Sequence, residues 1–219
     1  IMRILITGVN GLLGQKLVDL LVSMSEVELI GTGRGTNRTR LPDDQYRVMN
    51  VENPEEVLQV LTEVKADSII HTAAMTHVDE CELNHDACDR ANVDAVANIV
   101  AACEATGAHL VHLSTDFIFD GSHGPLTEEA IPNPVNYYGE AKLKAEQIIV
   151  NSNVQWAIAR TVLVYGVVSG LQRSNIILWV KNSLEQGKRL QIVDEQWRTP
   201  TLAEDLAIGC WLLAKNKIT

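Results

Sequence analysis

Arg3-Ile4-Leu5-Ile6-Thr7-Gly8-Val9-Asn10-Gly11-Leu12-Leu13-Gly14 is the stretch whose reading decides the fold. It predicts a short buried strand running into a glycine-punctuated turn and then into a helix. That arrangement presents free backbone N–H groups to a phosphate. Glycine is required where the chain turns with positive φ or comes within contact of a phosphate, and Gly14 lets the helix lie close on the strand. The spacing Thr7-Gly8-x-x-Gly11-x-x-Gly14 is looser than the usual Gly-x-Gly-x-x-Gly, and glycine turns also follow strands for structural reasons alone. A dinucleotide is the guest that suits such a turn.

Outward from this turn the pattern repeats. Leu12, Leu13, Leu17, Leu20 and Leu21 recur at helical spacing, so residues 11–24 are expected to be a helix with a buried stripe. Val27 to Thr32 reads as a second strand, Tyr46 to Met49 as a third and Asp67 to Thr72 as a fourth, with Pro54 opening a helix between the last two. A long helix is expected from Asn84 to Thr106, stopped by Gly107, then a strand from His109 to Leu113. Ser114 to Val135 reads as a long irregular loop of the kind that is usually functional. A helix over 136–151, a strand over 155–160, a loop over 164–170, a helix over 175–186, a short strand at Leu190 to Val193 and a helix over 203–214 complete the chain. Such alternation predicts an α/β fold, a doubly wound parallel sheet (Rossmann) with right-handed crossovers and ligands at the carboxyl ends of the strands. The expected division is a dinucleotide-binding domain over 1–160, with the last sheet elements and a partial substrate lobe over 161–219.

Bulk properties narrow the classes. A chain of 219 residues can bury roughly 70% of its unfolded surface. With 18 basic and 28 acidic residues and a net charge of −10, a general grip on nucleic acid or on an anionic membrane is not expected. Cys81, Cys88, Cys103 and Cys210 form no C-x-x-C pair and read as packing residues in a reducing, cytoplasmic setting. No apolar run of about 18 residues suggests a membrane span. Cys81, His85 and Cys88 invite a metal reading, but a fourth ligand is missing and helical spacing spreads them, so no metal is expected.

Tyr138-Gly139-Glu140-Ala141-Lys142 sets a phenol and an ammonium at i and i+4, on one helix face. A cation one turn away favours the phenolate and is expected to lower the tyrosine pKa toward the range of a general acid. Taken alone, the same spacing also describes an exposed surface pair. Ser114-Thr115-Asp116 ends the fifth strand, where Thr115 can hydrogen-bond a substrate oxygen or simply turn the chain.

Together these residues, with His71-Thr72-Ala73-Ala74 after strand four, resemble the extended short-chain dehydrogenase/reductase family. Within it, Thr76-His77-Val78-Asp79, Ser114-Thr115-Asp116-Phe117 and Asn136-Tyr137-Tyr138-Gly139 are most similar to the dTDP-4-dehydrorhamnose reductases, over Arg3 to about Leu206. The resemblance implies a catalytic set of Thr115, Tyr138 and Lys142. It implies cofactor contacts from Gly8, Asn10, Gly11, Leu12, Leu13 and Gly14, from Asn50 and Val51 at the adenine, and from Ala73, Ala74 and Asn92 along the groove. Tyr138, Lys142 and Thr161 would lie near the nicotinamide. Thr76, Val78, Thr115, Phe117 and Leu163 would meet a nucleotide-sugar substrate. The relatives commonly carry an aromatic hydroxyl at the Phe117 position and often a tryptophan at that of Leu163, and they run beyond the length of this chain, so the substrate lobe is expected to be truncated.

A carboxylate ending strand two suits NAD, whereas a 2′-phosphate calls for arginine. Gly33-Arg34-Gly35 stands there, with Arg38 and Arg40 behind, so the expected cofactor is NADP(H), with NAD(H) the alternative. The expected function is reduction of a nucleotide-linked 4-keto sugar. The alternatives are a non-catalytic regulatory subunit like the methionine adenosyltransferase beta subunit, and a nucleotide-sugar epimerase or dehydratase. The resemblance also implies a homodimer built on the helices at 84–106 and 136–151.

Overall fold

Six strands, β1 Met2–Thr7, β2 Val27–Gly33, β3 Tyr46–Val48, β4 Ser68–His71, β5 His109–Thr115 and β6 Trp156–Thr161, form one parallel sheet in the order β3-β2-β1-β4-β5-β6. The computed structural model describes residues 1–168, 170 and 175–219. The connections are α1 Leu12–Leu21, α2 Pro54–Val64, α3 Val78–Leu83, α4 His85–Asp89, α5 Ala95–Thr106 and α6 Tyr137–Val150; a two-stranded pair, β7 Val164–Tyr165 and β8 Thr201–Leu202, α7 Ile176–Glu185 and α8 Ala203–Asn216 follow.

The sheet forms because its central strands are apolar on both faces, the pattern a covered parallel sheet requires. Alternate residues feed two cores. Leu5, Ile69 and Leu110 meet Val57, Leu61, Ile99 and Ile149 on one face. Ile4, Ile6, Ile70 and Val111 meet Leu17, Leu21, Cys210 and Trp211 on the other. The last helix, α8, therefore shares a layer with the first, and Ser68 Oγ donates to Ala214 O at 3.1 Å to pin it there. Helix boundaries follow local chemistry. Asn53 accepts from the amides of Glu55 and Glu56 with Pro54 in the first turn, and Gly107 ends α5 at φ 75°.

Three expectations are corrected. The helix expected over 84–106 is broken by a π-turn at Arg90–Asp94, preceded by α3, which the spacing did not suggest. The loop expected over 164–170 begins instead with β7, which pairs in parallel with β8; its Ser169 lies outside the described residues. No strand forms at 190–193, where Ile192 and Val193 are exposed. β-branched residues favour a strand only where a sheet edge is available to pair.

The strand order reverses direction between β1 and β4. Chains leaving those two strands part to opposite sides of the sheet and open a crevice at their carboxyl ends. Gly8 and Ala73 stand on its two lips.

Candidate active site

One wall of the crevice is backbone. Gly8 has φ +70°, and a Cβ there would stand 2.8 Å from Ala73 N. A Cβ on Gly14 would run into Gly8 O and the Val9 backbone, so only glycine allows α1 to start this close to β1. Gly11 caps α1 with no side-chain hydrogen bond to the first-turn amides. Gly11, Leu12, Leu13 and Gly14 line the cleft, so an uncapped helix N-terminus with its partial positive charge faces the cavity. A group with phosphates fits this wall, because the first-turn amides of α1 meet the cleft with no side chain capping them.

The opposite wall is built by α6. Asn136 Oδ1 accepts from Gly139 N at 2.8 Å and starts the helix. Gly139 packs against Phe117 O where a Cβ has no room, so α6 lies directly on the segment leaving β5. Tyr138 and Lys142 are thereby buried on one face of α6, beside Thr115. Thr115 Oγ1 accepts from Phe117 N and donates to Asp116 Oδ1, both at 3.2 Å. The Lys142 ammonium donates to Leu113 O at 2.6 Å and lies 3.1 Å from His112 Nε2.

The electrostatics correct one expectation. Burial, then the neighbouring Cys81 and Asp116, push the Tyr138 phenol above its usual range, and the Thr115 hydroxyl offsets only part of this. The Lys142 charge does not outweigh these effects as the spacing suggested, its ammonium being engaged by His112 and Leu113. Burial depresses Lys142 itself to about 8, against the opposing pull of Glu146 and Cys88. His71 is held at about 3 by burial and then by the Lys142 charge.

The walls enclose a cleft of about 600 Å³. The structure brings Ala73, Ala74, Thr76 and Val78 to it from the segment after β4, Thr115 and Phe117 from the end of β5 and the turn beyond it, and Thr161 and Leu163 from the end of β6 and just after it. Leu163 adopts φ +41° at the turn after that strand. Other expected residues stand away from the lining. Asn10 ties the glycine turn to the basic loop, donating to Thr36 O at 3.0 Å and accepting from Arg38 N at 2.8 Å. Asn50 Oδ1 accepts from Glu52 N, and Val51 packs on the core. Arg34 is exposed beyond β2, its guanidinium 3.5 Å from Glu52. Asn92 is buried behind the wall and bonds both ways to the Met75 backbone at 3.0 Å, holding the loop after β4. Arg40 is paired with Asp19 at 2.9 Å.

Sequence reasoning missed Arg198 and Leu206, which also line the cleft, and quoted His71 and Ser114 only within motifs, without a role. Arg198 reaches it from the segment before β8, pairing with Asp116 at 3.0 Å and stacking 4.5 Å over the Phe117 ring. No local pattern announces it, since its partners are 81 and 82 residues away in the chain. Cys81 and Cys88 are buried around Asn92 and Tyr138, and among the described residues no group of three metal-ligating side chains occurs. No helix among those residues is long and apolar enough to cross a membrane.

A family profile described as "RmlD substrate binding domain" matches residues 2–219. Methionine adenosyltransferase 2 subunit beta of Bos taurus is 32% identical over 216 residues, covering 99% of this chain and 63% of its own length. The chain thus spans less than two thirds of the curated relatives it matches first. A dTDP-4-dehydrorhamnose reductase of Clostridium acetobutylicum superposes with a TM-score of 0.85 at 30% identity, over 99% of this chain and 71% of the other. The dTDP-4-dehydrorhamnose reductase of Bacillus anthracis, solved in complex with NADP, gives 0.81 at 27% identity, over 99% and 71%.

Proposed function

The chain belongs to the RmlD substrate binding domain family, and on that premise we propose that it is an NADP(H)-dependent reductase of a 4-keto sugar carried on a nucleotide. The observation that carries this reading is the convergence of Thr115, Tyr138 and Lys142 on one cleft with the glycine turn and the uncapped start of α1.

In this reading Gly11, Leu12 and Leu13 meet the pyrophosphate, Arg34 meets a ribose 2′-phosphate, and Ala73 and Ala74 flank the bound cofactor. The cofactor supplies hydride to the carbonyl carbon. Thr115 orients the carbonyl oxygen by a hydrogen bond, and Tyr138 donates its phenolic proton to that oxygen. The raised phenol pKa keeps Tyr138 protonated before the step. The phenolate it leaves is stabilised by the Lys142 ammonium on the same helix face. Thr76, Val78, Phe117 and Leu163 shape the sugar side. Residues 1–160 carry the dinucleotide, and the segment after β6 begins the substrate wall.

The test supplies NADPH or NADH with a panel of nucleotide-linked 4-keto sugars and follows cofactor oxidation. Oxidation of NADPH by at least one member supports the proposal; tight NADPH binding with no oxidation by any member overturns it. A second reading, a dinucleotide-binding regulatory subunit, is favoured by the likeness to methionine adenosyltransferase 2 subunit beta. It requires co-elution with a methionine adenosyltransferase catalytic subunit and a change in that enzyme's activity.

A further inference from the structure

The catalytic wall rests on two stacked histidines, His71 and His112, to which no motif gave a role. His71 and His112 are register partners on β4 and β5, so their side chains leave the sheet on the same face. Their rings lie 5.6 Å apart at 21° and both residues are buried. His71 Nδ1 is 2.8 Å from Thr7 Oγ1, at the end of the strand that feeds the glycine turn. His112 Nε2 is 3.1 Å from the Lys142 ammonium.

An ammonium has donors only. His112 Nε2 must therefore present a lone pair, which puts the ring proton on Nδ1 and leaves the ring neutral. Nδ1 has no hydrogen-bond partner among the described residues. A histidine kept only for packing has no reason to aim its single acceptor at the buried Lys142 ammonium that lines the cleft.

We propose that His112 is a positioning residue, its Nε2 accepting from the Lys142 ammonium and holding that cation, charged, at the floor of the cleft beneath Tyr138. This rests on the reductase reading for its consequence in turnover, while the hydrogen bond stands independently of it. The groups facing the ammonium are His112 on β5 with His71 behind it on β4, Cys88 on α4, and Glu146 one turn along α6. Glu146 is already held by the Arg160 fork at 3.1 and 2.7 Å. Leu113 O anchors the same ammonium at 2.6 Å but belongs to the backbone, so His112 is its close side-chain acceptor that substitution can remove. Burial and the Lys142 charge keep His112 well below the ordinary histidine range, so its acceptor is available at every pH at which the protein would work.

The experiment uses the whole chain, with the imidazole nitrogens and the lysine ε-carbons isotopically labelled for NMR. In the wild type, His112 is expected to be neutral with Nδ1 protonated from pH 5 to 7, where Lys142 is an ammonium. Lys142 is expected to titrate below the ordinary lysine range. In His112→Leu the Lys142 midpoint moves down by about one pH unit, because the charged form loses an acceptor, and in His112→Gln, which keeps an amide oxygen, most of that shift is recovered. The alkaline limb of NADPH-dependent sugar reduction moves with it. A His112 proton on Nε2, or an unchanged Lys142 midpoint in His112→Leu, overturns the proposal. The wild-type tautomer is read without any variant, so a misfolded variant does not decide the matter. The NMR shifts in a chain that oxidises no NADPH uphold the hydrogen bond and overturn the reductase reading.

Discussion

At the glycine end of the cleft the surface is main chain, shaped by what Gly8, Gly11 and Gly14 lack; at the α6 end it is side chain, shaped by what Thr115, Tyr138, Lys142, His112 and Asp116 carry. The first end is assembled from neighbours in sequence, since β1, its turn and α1 are consecutive. The second draws on β4, β5, α6 and the segment before β8. A backbone wall tolerates no added atom and carries no proton chemistry. A side-chain wall tolerates reshaping, but its chemistry depends on every buried partner.

Tyr138→Phe probes that difference with the largest expected effect: turnover falls by about 10² to 10⁴, the range of a lost general acid, while NADPH affinity stays close to that of the wild type. Equal losses in both would mean that the two ends are not separable. Gly14→Ala acts at the other end. Its methyl has only backbone to displace, so unfolding in urea should show a loss of about 3 kcal/mol together with weakened NADPH binding. Gly35→Ala is its control, because open space surrounds that position and only its φ of +91° opposes a side chain; about 1 kcal/mol is expected.

A third test uses acid. His71 takes its proton near 6.5 when unfolded but at about 3 when folded, its pKa lowered by burial and then by Lys142. As pH falls below 6.5 the unfolded state binds a proton that the folded state refuses, so stability declines toward pH 3. Each such histidine contributes about 1 kcal/mol per pH unit. The urea midpoint of His71→Gln should therefore depend less steeply on pH between 6.5 and 5 than that of the wild type. Arg34→Ala carries the smallest effect: the preference for NADPH over NADH should fall about fivefold, the scale of one exposed ion pair. An unchanged preference would remove Arg34 from cofactor choice.

Legibility in the sequence follows the same division. Strand and helix alternation was readable from apolar periodicity alone, and most boundaries agree to within a residue or two. Thr115, Tyr138 and Lys142 stood out because a helix places i and i+4 together and a strand end places Thr115 beside them. The strand at Leu190 to Val193 was misread because four apolar and polar residues specify a strand only if an edge waits for them. The tyrosine pKa was misread because spacing reports proximity along a helix, whereas the Lys142 ammonium is drawn down by His112 and Leu113. Asn92 was expected in the groove; the π-turn instead sets it behind the Met75 backbone.

By itself the sequence determined the doubly wound sheet, the glycine turn and the residue types proposed for the chemistry, because each depends on spacing within one element or between consecutive ones. Only the tertiary structure decided that His112 holds Lys142, that Arg198 neutralises Asp116 beside Thr115, and that α8 covers the same face as α1. Those contacts join residues 30, 82 and more positions apart, and burial, which sets their charges and tautomers, exists only after the layers have closed.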